Sequence, residues 1–510
     1  MDSDKPLGRK IGLLSLIMMI FSTVFGFANS TVAYEQMGYA AIIWYVFAAL
    51  FFFLPVALMI AEYGSALKSA QGGIYSWLEV AIGEKQAFIG TFIWLCSWII
   101  WMVSTASKIW IPFSALLFGS DQTQTWTWWG LNSTEVVGLL GIVWVLLVTY
   151  LSSRGIEGIA KVGTFGGFLV SALTVIFLLV SLVIFVANHG VLQEPIHGAS
   201  TWLISPNQSF KTPVAILSFV VYAVFAYSGL EAMGGVMDSL EKPQKTFPRG
   251  LIIAMLLITV LYSLSILMWG ISTNWHRVLS DETVNLGNIT YIMMNNAGLV
   301  LGHSLGLSHQ ASVLLGSFLT RFAGLGMFAA YVGSFFIMLY SPIKSFILGS
   351  DQRLWPAKLV KVNAHGMPAN AMWWQAAIVS FLIFAVAFGG SAAQKFYLIL
   401  TDMSNVASTA PYLFIIGAFP AFKRRTDLER PYVFFKKPWQ TQLVTWLVQG
   451  VVLFGIVFTC LQPILDHDYT TAFWTIIGPL FFGALGWLLY HHQTQKPAPK
   501  QTKLGTKVVE

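Results

Sequence analysis

Charged residues are scarce in this 510-residue chain: 10% are Asp, Glu, Lys or Arg, whereas 56% are hydrophobic. A soluble domain carries about 25% charged residues, and a disordered chain contains far fewer apolar ones. The composition therefore excludes both classes, and the mean hydropathy of +0.69 agrees. We predict an all-α protein that crosses a membrane many times.

Cysteine and the common catalytic motifs are also rare or missing. Cys96 and Cys460 both lie in apolar runs and give neither a disulfide framework nor the spacing of a metal site. The sequence has no HExxH zinc motif, no GxxxxGK[ST] phosphate loop and no GxSxG nucleophile turn. These absences argue against a membrane enzyme or an ATP-driven pump, so we expect no catalytic residue, no metal and no cofactor.

Long apolar runs dominate the chain instead. A membrane-spanning helix needs about 20 apolar residues. About twelve runs are candidates, at 11–33, 40–62, 87–117, 134–151, 161–187, 212–237, 250–273, 310–341, 369–388, 395–420, 440–462 and 471–490.

Positive charges are divided unevenly between the loops. An even number of spans places both termini on one side, and the other side would then hold only Lys211, Arg277 and Lys395. Because cytoplasmic loops carry the excess of Lys and Arg, we expect both termini in the cytoplasm and the protein in the plasma membrane. The net charge of +7 thus reflects topology, and we expect the lipid bilayer, not nucleic acid, around the protein.

Two spans contain residues that interrupt a helix. Span one holds the small and polar stretch 22–30, and span six holds Ala226 to Glu231 followed by Gly234-Gly235. A glycine in a helix interior costs about 1 kcal/mol relative to alanine. Such segments in two spans that lie five apart indicate discontinuous helices. Close helix packing is the alternative, since glycine also serves that purpose in membranes.

A discontinuous helix exposes backbone N–H and C=O groups, which a membrane tolerates only where they line a cavity. The N–H groups that begin a half-helix lie at the positive end of its dipole and suit a carboxylate. Free carbonyl groups suit an ammonium. The two interrupted spans together therefore predict a site for a zwitterionic amino acid.

Glu231 is the clearest ionisable residue within an apolar run. A charged side chain at the centre of a membrane helix costs about 2.5–3.5 kcal/mol on insertion scales, so it needs a partner, water or a proton. Apolar surroundings favour its neutral form, which predicts proton coupling or pH sensing. The alternative is a carboxylate that caps the second half-helix, and the two roles are compatible.

Three further charged residues are candidates to line a pathway through the membrane. Asp402 lies in a polar cluster of span ten and could equally hydrogen-bond between helices. Arg321 lies within span eight and is expected to pair with a carboxylate, such as Glu231 or Asp402, or with an anionic substrate. Lys108 lies near the outer end of span three, where snorkelling to the membrane surface is the default expectation.

Five motifs, in order and spacing, resemble the amino acid–polyamine–organocation transporter superfamily over nearly the whole chain. They are the break at Ser22–Gly26, Ala61-Glu62, Gly72-Gly73-Ile74-Tyr75-Ser76-Trp77, Phe225–Glu231, and Glu241-Lys242-Pro243 with Phe247-Pro248-Arg249. Within the superfamily the chain resembles the glutamate/γ-aminobutyrate antiporter group.

The resemblance implies a five-plus-five inverted repeat with two extra helices, in the cytoplasmic (inner) membrane of a bacterium. A single domain would then cover 1–510. It would comprise a first repeat at 11–187, a second repeat at 212–420, two extra spans at 440–490 and a cytoplasmic tail at 491–510.

The resemblance also implies roles for individual residues. The substrate carboxylate would be held by Ser22, Thr23, Val24, Phe25 and Gly26. The amino group would be held by the segment from Tyr222 through Phe225, Tyr227 and Ser228 to Gly229. Phe225 would be an aromatic gate over the substrate, and Glu231 lies where related acid-resistance exchangers carry a pH-linked glutamate.

Two departures from the family bear on the mode of transport. Some proton-coupled relatives carry a lysine inside span five, whereas Lys161 stands at its entrance here, which favours exchange. The short tail also lacks the plug of the glutamate/γ-aminobutyrate exchanger, so the same acid gating is not expected. We therefore expect an antiporter of amino acids or related amines, with protons as a further candidate partner. A proton-coupled symporter and, as a different class, a solute or ion channel are the alternatives.

Overall fold

The structure is a computed structural model. It describes residues 12–67, 73–154, 157–233, 240–281, 283–390 and 393–494. Within these ranges the chain is almost entirely helical, and Trp128 and Leu131 form an isolated β-bridge. The predicted helical membrane fold is confirmed. Gly72 and Gly234-Gly235, which belong to predicted motifs, lie outside the described residues.

The first half of the chain forms helices α1 to α11. They are α1 (Leu13–Val24), α2 (Phe27–Met37), α3 (Ala41–Ala48), α4 (Leu54–Ala66), α5 (Ile74–Ile82), α6 (Glu84–Lys108), α7 (Trp110–Phe118), α8 (Ser133–Ser152), α9 (Glu157–Ala187), α10 (Ser200–Leu203) and α11 (Pro213–Phe225).

The second half forms helices α12 to α21. They are α12 (Pro243–Ser272), α13 (Trp275–Val278), α14 (Ile289–Ser304), α15 (His309–Ile343), α16 (Ala357–Val360), α17 (Ala369–Ala387), α18 (Ala393–Thr409), α19 (Pro411–Arg424), α20 (Pro438–Leu465) and α21 (Tyr469–Thr494).

Eleven helical stretches of the described chain are long and apolar enough to cross a membrane. The first, Phe27–Ala66, has 40 residues; at about 1.5 Å per residue it would measure about 60 Å, twice the ~30 Å hydrocarbon core. The chain turns within it at Gly38, whose φ is +55°, a value that glycine adopts readily. α2 therefore completes the crossing that α1 begins, and α3 with α4 forms the next, which gives the twelve spans expected.

Prolines divide two of the expected spans. Pro112 has no N–H to bond the carbonyl of Lys108 four residues earlier, and α6 ends at Lys108. In span ten, α18 ends at Thr409 and α19 begins at Pro411. Both interruptions lie in spans that carry polar residues facing the interior. Each interruption therefore changes the direction in which those polar side chains point.

Helix α14 was not predicted from the sequence, which has several asparagines there and no long apolar run. The helix packs against α15, and the backbones come very close: a Cβ on Gly298 would lie 2.6 Å from the Cα of Gly316. Small residues permit this approach in membrane helices. α14 also contacts α2, where the hydroxyls of Thr290 and Thr31 lie 2.8 Å apart.

A buried ion pair joins the ends of α4 and α19. The Glu62 side chain is fully buried, and its Oε1 lies 2.7 Å from Lys423 Nζ and 4.0 Å from Arg430 Nη1. Arg430 also donates to the Lys423 carbonyl oxygen at 2.9 Å. Next to it, the Tyr63 hydroxyl donates to the Ile415 carbonyl oxygen at 3.2 Å. These contacts close one end of the bundle.

We expect Lys423→Met to lower the free energy of unfolding by about 3 kcal/mol, because it leaves the Glu62 carboxylate buried with only Arg430 nearby. Thermal unfolding of the purified protein in detergent measures the change. Arg425→Met is the matched control: its partner Asp427 is exposed, and exposed pairs contribute little. Equal melting temperatures for the two variants would contradict the assignment.

Candidate functional site

The first helix break lies where the sequence predicts one. α1 ends at Val24 and α2 begins at Phe27, and the two residues between them, Phe25 and Gly26, have extended backbone angles. The backbone N–H groups of Phe27 and Ala28, in the first turn of α2, meet no acceptor among the described residues. This turn therefore has free donors at its positive end.

The second break follows α11, which ends at Phe225. Gly229 has a φ of +114°, a conformation that L-residues with a side chain rarely adopt. A Cβ at this position would lie 3.4 Å from both the Cγ2 and the carbonyl oxygen of Thr23. The two interrupted helices therefore touch at their breaks.

One tyrosine hydroxyl links the two breaks. Tyr262 on α12 accepts hydrogen bonds from the Gly26 N–H at 2.8 Å and from Asn29 Nδ2 at 3.1 Å. Its own proton lies within reach of the carbonyl oxygens of Val24, at 3.2 Å, and Ala226, at 3.1 Å. A hydroxyl has one proton and two lone pairs, so this single group satisfies polar atoms of both breaks at once.

A cluster of tyrosines surrounds this link. The Asn29 carbonyl oxygen accepts from the hydroxyls of Tyr45 and Tyr222, each at 3.2 Å. The ring centroids of Tyr45 and Tyr227 lie 5.1 Å and 5.6 Å from that of Tyr262. The Tyr45 and Tyr222 hydroxyls hold the first turn of α2 in position, and the rings pack around the Tyr262 link between the breaks.

Glu231 is buried just beyond the second break and has three hydrogen-bond donors. Trp94 Nε1 lies 3.2 Å from Oε1, the Gly229 N–H lies 3.0 Å from Oε2, and the Tyr412 hydroxyl donates to Oε2. An ionised carboxylate only accepts hydrogen bonds, so this arrangement suits the charged form. It also ties α6 and α19 to the break.

A cavity of about 110 Å³ lies beside the start of α2. It has room for several water molecules, since each needs about 10–15 Å³. Its walls come from α2, α6, α11, α15, α18 and the segment that leads into α14. They are lined by Ala28, Asn29, Val32, Trp101, Ser104, Thr105, Lys108, Tyr222, Phe225, Leu286, Gly287, Thr290, Tyr291, Tyr331, Thr401, Ser404 and Asn405.

The cavity offers both donors and an acceptor to a ligand. Lys108 contributes an ammonium group, held at 2.7 Å from Thr401 Oγ1. Asn405 contributes a buried side-chain amide oxygen that has no hydrogen-bond partner in the described structure. Since buried polar atoms are nearly always paired, an unpaired acceptor in a cavity wall indicates a place for a ligand donor.

A larger vestibule of about 340 Å³ adjoins the cavity and shares Tyr222, Leu286 and Asn405 with it. Its charged lining residues are mainly acidic: Glu35, Asp402, Asp466 and Asp468, with Lys395. Lys395 lies 2.8 Å from Asp468. Burial acts to raise the pKa of Asp468, but Lys395 and the hydrogen bonds from Thr471 outweigh it and lower that pKa.

The structure brings some of the predicted site residues to these cavities. Tyr222, Phe225 and Lys108 line the small cavity, and Asp402 and Tyr222 line the vestibule. The backbone of Ser22 lies in α1, and its side chain lies outside the described part. The remaining predicted residues line neither cavity and instead form the breaks or pack beside them: Thr23, Val24, Phe25, Gly26, Tyr227, Ser228, Gly229 and Glu231.

Arg321 is not part of the site in this structure. Its side chain is exposed, and it donates to the carbonyl oxygens of Leu116, at 3.0 Å, and Leu117 at the end of α7. It pairs with neither Glu231 nor Asp402. A guanidinium satisfies the free carbonyl groups at a helix C-terminus, which explains its position without a ligand.

Several site residues gave little signal in the sequence. Tyr262 stands alone in the apolar run of α12, and its partner Gly26 is 236 positions away in the chain. Thr401 and Asn405 belong to the polar cluster around Asp402, and the sequence gives no further sign that they line a cavity. A tyrosine in an apolar span signals that its hydroxyl needs a partner, but the sequence does not show which one.

The comparisons with known proteins agree with one another. A family model described as amino acid permease matches residues 11–482. The inner membrane transporter YjeM of Salmonella typhimurium is 50% identical over 96% of this chain and 97% of its own length. The aspartate/glutamate permease AcaP of Lactococcus lactis subsp. cremoris is 22% identical over 94% and 95%. The glutamate/γ-aminobutyrate antiporter of Lactococcus lactis subsp. lactis is 25% identical over 75% and 70%.

We expect Tyr262→Phe to destabilise the protein by about 1–3 kcal/mol, because it leaves polar backbone atoms of both breaks unpaired in a buried site. It should also reduce substrate binding. Thermal unfolding and ligand binding by the purified variant measure both effects. Tyr34→Phe is the control, since its hydroxyl bonds only the Thr273 carbonyl oxygen, at 2.9 Å, away from the breaks. If the control lost as much binding, Tyr262 would have no special role.

Proposed function

This chain belongs to the amino acid permease family, and on that premise we propose that it is a secondary antiporter of amino acids or related amines. The protein is a membrane transporter and not an enzyme. The observation that carries the proposal is the small cavity, whose lining residues include Ala28 with a free backbone N–H, Lys108 with an ammonium group and Asn405 with an unpaired amide oxygen.

The two helix breaks offer separate binding places for the two charged ends of a zwitterion. The substrate carboxylate would lie at the first break, served by the segment Ser22–Gly26 and by the free N–H of Ala28 in the cavity wall. Its amino group would lie at the second break, between the Tyr222–Gly229 segment and the Asn405 amide oxygen. Phe225, whose ring centroid is 6.2 Å from that of Tyr222, would cover the substrate.

Alternating access is supported by the difference between the two ends of the bundle. The vestibule leads to the cavity on one side, whereas the Glu62, Lys423 and Arg430 contacts close the other. We propose that the vestibule side faces the outside of the cell and that both termini lie in the cytoplasm, because few lysines and arginines lie on the vestibule side. The relative named as an inner membrane transporter supports a bacterial cytoplasmic membrane.

We propose exchange in preference to proton symport or a channel. The only lysine of span five, Lys161, lies near its start, whereas some proton-coupled relatives carry a lysine inside this span. A channel needs a continuous pore, whereas the cavity is closed at the Glu62 end among the described residues. The names of two relatives include glutamate, and one of them also includes γ-aminobutyrate; we propose glutamate and γ-aminobutyrate as the first pair to test.

Counterflow into proteoliposomes tests the proposed function. We expect uptake of labelled glutamate to rise when γ-aminobutyrate or glutamate is loaded inside, because an antiporter returns only with a bound substrate. Uptake driven by a pH gradient alone, with empty vesicles, would indicate symport. An ohmic current without saturation would indicate a channel.

Phe225→Ala should raise the KM for substrate about ten-fold, since it removes an aromatic ring from the cavity wall, while expression stays normal. Initial uptake rates at several substrate concentrations give the value. Phe381→Ala is the control, because that ring is 68% exposed on the outside of the bundle. Unchanged kinetics in Phe225→Ala would remove this residue from the site.

Glu231→Gln should flatten the pH dependence of transport, because the amide cannot exchange a proton. Uptake from pH 5 to 8 measures the profile. Tyr412→Phe removes a donor but keeps the carboxyl, and should therefore remain pH-dependent. A Glu231→Gln profile of unchanged shape would leave Glu231 with only a structural role at the break.

A further inference from the structure

We propose that Lys108 binds the side-chain carboxylate of an acidic amino acid and so favours glutamate over its neutral analogue of the same shape, glutamine. The inference rests on the proposed function and deepens it, because it assigns the substrate class to one residue. It also changes the expectation for Lys108, whose side chain lines the small cavity.

The position of the ammonium group is fixed by its neighbours. α6 ends at Lys108 because Pro112 provides no N–H for the next turn. Lys108 Nζ lies 2.7 Å from Thr401 Oγ1, and that hydroxyl donates its own proton to the Tyr397 carbonyl oxygen at 2.8 Å. The Thr401 oxygen therefore presents a lone pair to the lysine, and the ammonium keeps two N–H groups for other acceptors.

No carboxylate forms a direct ion pair with Lys108 in the described part of the chain, since no carboxylate oxygen lies within 4.0 Å of its Nζ. Asp402, which follows Thr401, acts on Lys108 electrostatically but lines the vestibule and not the cavity. Lys108 is the only charged residue among the described residues that line the cavity. A largely buried charge without an ion-pair partner in contact is costly, so the structure favours an anionic ligand at this position.

The cavity therefore has two places for an anion. One is the start of α2, where the Ala28 N–H lies free beside the cavity. The other is Lys108. A neutral amino acid fills the first and leaves the lysine unpaired, whereas glutamate or aspartate fills both. Sites built around a charged group strongly reject analogues that lack its partner.

The acidic vestibule, in contrast to Lys108, disfavours the approach of an anionic substrate. Asp402 and Asp466 line it, and their negative charge disfavours an incoming anion. Charges along an approach path change mainly the association rate, whereas contacts in the final site change affinity. Asp466→Asn should therefore speed glutamate uptake without loss of selectivity.

Separate uptake of labelled glutamate and labelled glutamine into proteoliposomes tests the assignment, since these probes differ in charge but hardly in shape. We expect the wild type to prefer glutamate. Lys108→Gln should lower the glutamate-to-glutamine ratio of kcat/KM about ten-fold or more. Lys108→Arg should retain most of the preference, and Lys85→Gln, a change to an exposed lysine at the start of α6 that lines neither cavity, should retain all of it.

The outcomes separate this inference from the proposed function. A lower ratio with glutamine uptake retained supports the role of Lys108. An unchanged ratio overturns it, as does an equal loss of both substrates in a Lys108→Gln protein whose melting temperature is normal. If that variant is unstable, Thr401→Val takes its place and should lower the same ratio. A wild type that carries glutamine and rejects glutamate overturns only this inference, whereas one that carries no amino acid overturns the proposed function.

Discussion

The structure depends on one constraint: backbone polar groups at membrane depth must be paired, yet two helices are interrupted there. The Tyr262 hydroxyl meets much of this need, because it bonds the N–H of Gly26 and reaches carbonyl oxygens in both breaks. Unpaired groups in hydrocarbon cost several kcal/mol each. One side chain thus makes the broken helices tolerable and couples them mechanically, since neither can move without changing bonds to the same oxygen.

What the protein leaves unpaired is as informative as what it pairs. Tyr262 occupies the Gly26 N–H, but the next donors in α2 remain free, and the adjacent cavity holds Lys108 and the unpaired oxygen of Asn405. The breaks are therefore closed where they contact each other and open where a substrate fits. Binding there would add partners to groups on α2, α6 and α18, which provides the differential contacts that alternating access requires.

Composition and periodicity were sufficient to predict the spans and both breaks, because these depend on local apolar runs and on small residues. They did not predict α14, whose asparagines interrupt any apolar run, or the role of Tyr262, which depends on contacts more than 200 positions away. Lys108 and Arg321 show the same limit. Both were candidates because they lie within predicted membrane spans. The structure shows that Lys108, near Pro112, lines a cavity, whereas Arg321 caps the end of α7.

The central claim is that substrate binds in the cavity between the two breaks, with one carboxylate at the start of α2 and another at Lys108. A cryo-electron microscopy structure of the protein in lipid nanodiscs with glutamate tests it most directly. The account predicts density that bridges the Ala28 N–H and Lys108 Nζ, beneath Phe225 and beside Asn405. Glutamate bound only in the vestibule, or in the cavity with its side chain directed away from Lys108, would contradict the account.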